Sequence, residues 1–200
     1  MNKGKKVEYK VRDFFIKHGF SAERIPISGN SQSSFLKSRM EGDVIVHLAK
    51  DYIVLEVKSL KNPPKAFLPI LKEKEIKLVV KSGSLLLIPQ VVFESFFNHI
   101  RKLKNPPKTC QQFLNKLEKF CLTTCAILSH PSFNGLKTIL NRIENKKTYL
   151  FAFKFNHLPL LFILDTSRIH ELNKQQITQT KRTKKTEKII YETGNNSPSF

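Results

Sequence analysis

The chain has 200 residues, with 35 Lys and Arg against 16 Asp and Glu, a formal net charge of +19 and an isoelectric point near 10.0. That length suits one medium domain with additions, and the charge asks for a polyanionic partner: DNA, RNA or an anionic membrane surface. A lysine-rich proteome would produce the same bias. No apolar run reaches the ~18 to 20 residues of a membrane span, and the start MNKGKKVEYKVRDFF lacks a following secretory apolar segment, so the expectation is a cytoplasmic protein outside the membrane.

In chain order, Val7, Val11, Phe14, Phe15 and His18 recur at helical spacing, and Gly19 supplies a stop. Arg24 to Ile27 reads as a short strand. The polar segment SGNSQSSFLKSR that follows is too poor in apolar residues for a core and reads as a mobile loop. Two strands come next, Asp43 to Leu48 and Tyr52 to Ser59, close enough for a hairpin turning at Lys50 and Asp51.

The paired prolines of LKNPPK at Leu60 to Lys65 then mark a boundary. The same hexapeptide returns at Leu103 to Lys108. Between the copies lies a strand-turn-strand-helix pattern, IKLVVK, SG, SLLLI and VVFESFFNHI, and a similar order recurs with TYLFAFKF, a turn, LLFILD and a short helix through Ile169 and Leu172. Chance convergence explains this echo as well as duplication does. QQFLNKLEKFCLTTCAIL and FNGLKTILNRIENK read as two helices broken near His130 and Pro131. From about Asn173 the chain is a basic tail, expected to be disordered.

Three cysteines, Cys110, Cys121 and Cys125, do not suggest a disulfide scaffold and fit a reducing compartment. A zinc site that adds His130 can be drawn, but its spacing is loose; cysteines on the inner side of a helix are the simpler reading.

The hairpin carries the chemistry. A two-residue turn at Lys50 and Asp51 sets Asp43 opposite Lys58 and Ile45 opposite Glu56, so alternation puts Asp43, Glu56 and Lys58 on one face, with Val44, Val46, Leu55 and Val57 on the other. A three-residue turn would break this parity. Two hard carboxylates can hold Mg²⁺, and an ammonium beside them can orient water or offset developing charge. The plainer alternative is a solvated sheet face with an Asp43–Lys58 ion pair. Glu8, beside the apolar stripe of the first helix, is the candidate third acid; a glutamate there also simply complements the helix dipole.

In order and spacing these residues resemble the PD-(D/E)XK nucleases, and within them the archaeal-type Holliday junction resolvases. The resemblance runs from Gly4 to Ser59, through Glu8, Arg24, Ser28–Gly29, Gly42–Asp43 and Leu55–Glu56–Val57–Lys58–Ser59. It implies an α/β, restriction-endonuclease-like mixed β-sheet flanked by helices, from which an inserted α/β segment is the expected departure. It also implies Mg²⁺ (Mn²⁺ as a substitute) on Glu8, Asp43 and Glu56, a catalytic Lys58, an assisting Ser28, four-way DNA junctions as substrate, and a homodimer that makes two symmetric cuts.

Gly42 stands where the superfamily name has proline, and the small resolvases pass almost directly from this hairpin to a helix and two strands. The expected layout is therefore a first core part at 1–60, an insertion at 61–130, a closing helix and strands at 131–172 and the tail at 173–200. Expected phosphate contacts are Lys3, Lys5, Lys6, Arg24, Lys37 and Arg39, with the tail lysines. The alternatives are a nuclease for other DNA, of restriction or repair type, and a structure-selective DNA-binding protein without activity.

Overall fold

The computed structural model describes residues 3–25, 43–63, 78–129 and 149–174. Ser28, Lys37, Arg39, His130, the expected helix at 133–146 and the tail beyond Lys174 lie outside them.

Helix α1 (Lys3–Lys17) buries Val7, Val11, Phe14 and Phe15 and turns Lys5, Lys6 and Lys10 outward. Gly19, at φ 84°, ends it: Phe20 N–H returns to Phe15 O at 3.1 Å and Gly19 N–H to Ile16 O at 2.9 Å. This is the paired closure that a left-handed residue makes possible. Strand β1 (Ser21–Arg24) follows at once, starting earlier than the expected Arg24–Ile27.

Strands β2 (Val44–His47) and β3 (Tyr52–Leu60) pair antiparallel, with Val44 opposite Leu55 and His47 opposite Tyr52. The expected register is therefore wrong by two residues. The connection runs from Leu48 to Asp51, closed by Leu48 N–H to Asp51 O at 2.7 Å, and it is pinned from outside by Lys50 N–H to Lys108 O at 2.9 Å. A slip of two preserves alternation, so Glu56 and Lys58 still point away from the buried Ile53, Leu55 and Val57.

The remaining elements are β4 (Leu78–Ser82), β5 (Leu85–Pro89), α2 (Gln90–Arg101), α3 (Cys110–Thr124), β6 (Ala126–Ser129), β7 (Leu150–Phe155), β8 (Leu160–Asp165) and the helical residues 166–174, α4. Here the expected long helix stops at Thr124, and Ala126 to Leu128 form a strand instead. All the described strands join one mixed sheet, eight-stranded among the described residues and ordered β1-β2-β3-β7-β8-β5-β4-β6. Strand β7 lies parallel to β3; β8 runs antiparallel to both β7 and β5; β6 lies parallel to β4. The described part of 61–130 thus continues the same sheet.

That part also completes the core. Phe93, Phe96 and Phe97 of α2 and Phe113, Leu117 and Phe120 of α3 join Phe14 and Phe15 of α1 and Phe162 of β8 in one cluster on the first sheet face. Ring centroids as close as 4.3 Å, between Phe93 and Phe162, add directional edge and offset contacts to area burial. The second face carries its own cluster of Val80, Leu85, Leu87, Phe151, Phe153, Phe155, Leu161 and Ile163. Burial on both faces explains why β5 and β8 read as continuous apolar runs.

Candidate functional site

The site forms where β2 begins, beside the middle of β3 and the first turns of α1. Asp43 stands just ahead of the first β2–β3 pair, its N–H bound to Leu55 O at 2.9 Å and its carbonyl accepting from Ile25 N–H at 2.9 Å. The residue is only 7% exposed. Oδ2 accepts the Val57 N–H at 2.7 Å, and Oδ1 has no donor among the described residues.

Burial pushes the Asp43 carboxyl up to about 6; the Val57 N–H bond pulls it back, the charge of Glu56 raises it, Lys58 lowers it and Glu8 raises it slightly. The same influences place Glu8, Glu56 and Lys58 within electrostatic reach of Asp43.

Glu56 and Lys58, two apart on β3, share the outward side of the strand. In the parallel register they lie level with the buried Phe151 and Phe153 of β7, at the rim of the second apolar cluster. Their side chains form an ion pair, with Lys58 39% exposed and Glu56 16%. The expected facing pair of Asp43 and Lys58 is replaced by this one.

Glu8 does reach the site, but it is engaged there. Its Oε2 accepts from Arg24 Nη1 at 2.8 Å, and both side chains are 17% exposed. Arg24 is held above its ordinary value, chiefly by the hydrogen bond to Glu8. The Tyr9 ring lies beneath two guanidiniums, that of Arg12 at 4.7 Å and that of Arg24 at 5.4 Å. Arg24 is therefore an internal counter-ion as well as an expected phosphate contact. Sequence reasoning missed both this pairing and Tyr9, since only the return of the chain at Gly19 brings β1 alongside α1.

Among the expected phosphate contacts, Lys5 and Lys6 are exposed on the outer side of α1, and Lys3 opens that helix.

Among the described residues, no three His, Cys, Asp or Glu side chains stand close enough to enclose a metal ion. Glu8, Asp43 and Glu56 are near neighbours whose outer two members are turned to Arg24 and Lys58. The donor chemistry still suits a hard divalent cation: a carboxylate raised chiefly by burial and further by adjacent acids, with one oxygen that has no donor among the described residues, gains from a nearby positive charge. Each outer acid gives one oxygen to its cation, Glu8 Oε2 to Arg24 and Glu56 Oε1 to Lys58, so an ion held by both oxygens of either acid would displace that cation. No cysteine belongs to a metal-holding group among the described residues. Cys121 is buried on α3, and burial raises its thiol and pushes that of Cys110 up to about 12, which leaves both protonated at neutral pH.

The chain matches no described protein family, no curated protein and no solved structure.

Proposed function

We propose that the protein is a metal-dependent DNA endonuclease of the PD-(D/E)XK type, acting on branched DNA such as a four-way junction. One observation carries the reading: a buried aspartate, with one carboxylate oxygen that has no donor among the described residues, sits beside a Glu-x-Lys strand and a helix-borne glutamate. The architecture supports a restriction-endonuclease-like core, because a hairpin is followed in the sheet by a parallel strand and its antiparallel neighbour, with helices packed on one face.

Asp43 and Glu56 would hold Mg²⁺ (or Mn²⁺), with Glu8 as the third oxygen donor. The ion, when bound, neutralises phosphate charge and lowers the pKa of water. Lys58 orients the attacking water and offsets charge on the phosphate, and its partly exposed ammonium is free to leave Glu56 as substrate arrives. The surplus of positive charge supplies affinity for the backbone with little base readout. Two symmetric cuts in a junction call for a homodimer.

A second reading has its own support. Both outer carboxylates are neutralised by cations of the chain itself, as suits a DNA-binding protein that retains the fold and does not cut.

The experiment is cleavage of a synthetic four-way junction and a matched linear duplex, with Mg²⁺ or EDTA, by wild type and Asp43→Asn. Symmetric metal-dependent nicking of the junction alone, absent in the variant, is the expected result. Equal cutting of both DNAs removes the junction preference, and tight binding with no cutting selects the second reading.

A further inference from the structure

The Glu8–Arg24 pair joins two elements that meet only in the folded chain, and it ends within electrostatic reach of a buried acid. Arg24 is fixed from two sides, by the Glu8 carboxylate and by the face of Tyr9, and the guanidinium and carboxylate are equally sheltered. A sheltered ion pair costs more to break than an exposed one, because each partner left alone has lost much of its water. Arg24 also takes up one oxygen, Oε2, of the carboxylate that the metal-site reading assigns to the ion.

We infer that Arg24 is a built-in competitor of the divalent cation: it holds Glu8 when no metal is bound and must release it before Glu8 can give both oxygens to the ion. The inference rests on the metal-site reading above. The guanidinium then needs another anion, and a tetrahedral DNA backbone phosphate presents two non-bridging oxygens that the planar Arg fork can meet in a bidentate pair. Arg24 is thus a positioning residue. Metal entry and phosphate engagement become linked through one side chain, and the free protein takes up metal weakly until DNA arrives.

The test is Mn²⁺ binding to the full chain without DNA, followed by the electron paramagnetic resonance signal of the free ion. The proteins are wild type, Arg24→Gln, Arg24→Lys, Glu8→Gln and Asp43→Asn. Arg24→Met, which keeps the aliphatic stem against Tyr9 without the charge, replaces Arg24→Gln if that variant fails to fold.

Removing the charge should tighten Mn²⁺ binding about three- to tenfold, the range expected for losing a partly sheltered ion pair. Arg24→Lys should stay near wild type and Glu8→Gln should bind more weakly. A residue that merely braced the fold would weaken binding when removed. If the uncharged variants bind Mn²⁺ no better than wild type, or Glu8→Gln binds as well, the competition is disproved while loss of binding in Asp43→Asn keeps the metal site. Absence of saturable binding in folded wild type overturns both.

Discussion

At the scale of single residues, Asp43 links the stability of the fold to the proposed chemistry. Its folded carboxyl sits at about 6, against roughly 4 in an unfolded chain. Between those values the native state holds a proton that the unfolded chain has lost, so this group makes stability fall as pH rises from about 4 to 6, with the full penalty present above that window. A displacement of about two units corresponds to at most about 3 kcal/mol. Asp43→Asn keeps an oxygen that can accept the Val57 N–H and removes the charge. Urea denaturation should therefore find it more stable than wild type by about 1 to 3 kcal/mol at pH 7.5, with the gap closing near pH 4. An Asn variant no more stable at pH 7.5 would falsify this account of the site as a buried, strained charge. Lys58 adds a second expectation. Because its ammonium lowers the Asp43 titration, Lys58→Met should move that titration upward, as read from the pH dependence of the Asp43 side-chain carbon resonance. In the proposed nuclease the same substitution should cost on the order of 100-fold or more in cleavage with DNA binding largely kept.

At the scale of elements, the β2–β3 hairpin is anchored by a part of the chain that lies far away in sequence. Asp51 Oδ1 accepts from Tyr52 N–H at 2.8 Å, and its Oδ2 accepts from Cys110 N–H at 3.2 Å at the start of α3. Thr109 caps the same helix through Gln112 N–H, so the carboxylate and the hydroxyl together serve the unpaired donors of the first turn. Asp51→Ala should lower stability by about 1 kcal/mol and raise amide exchange in the Leu48–Asp51 connection. Unchanged exchange there would mean that the turn stands without α3. This anchor also explains what the sequence hid. Alternation in Ile53, Leu55 and Val57 makes β3 and its charged side legible, and the apolar runs of β5, β7 and β8 are equally plain. The register was not legible, because a four-residue connection held by Lys108 and Cys110 violates no local rule that a two-residue turn satisfies. Strand β6 was misread as helix for a related reason. Ala126, Ile127 and Leu128 have acceptable helix propensity, and only pairing with Leu78 to Val80 makes them a strand. Glu8 was visible as a candidate acid, whereas its capture by Arg24 depends on the placing of β1 beside α1.

For the whole molecule, one core and one charge distribution set the expectations. The first apolar cluster draws on α1, α2, α3 and β8 together, so the described parts before and after Leu60 should melt as a unit. Phe93, buried among Phe14, Phe15, Phe96, Phe97, Phe113 and Phe162, is a sensitive probe. Phe93→Ala should cost about 3 to 5 kcal/mol in a single transition, and separate transitions for α1 and α3 would contradict a shared core. In the proposed nuclease the charge of +19 bears on DNA binding, because each phosphate neutralised releases counterions and steepens the dependence of affinity on salt. Part of that charge belongs to Lys181, Arg182, Lys184, Lys185 and Lys188. Asn173 must be kept in a truncation, since its side chain bonds Gln111 and Asn115 of α3. A chain ending at Lys174 should therefore retain its fold and, if the tail contacts DNA, show a log-log salt slope shallower by up to about 0.9 per lost phosphate contact. Fluorescence anisotropy of a labelled junction, titrated at several NaCl concentrations, measures both slopes. Equal slopes would assign the phosphate contacts to the folded part, where Lys5, Lys6 and Lys58 become the residues to substitute next.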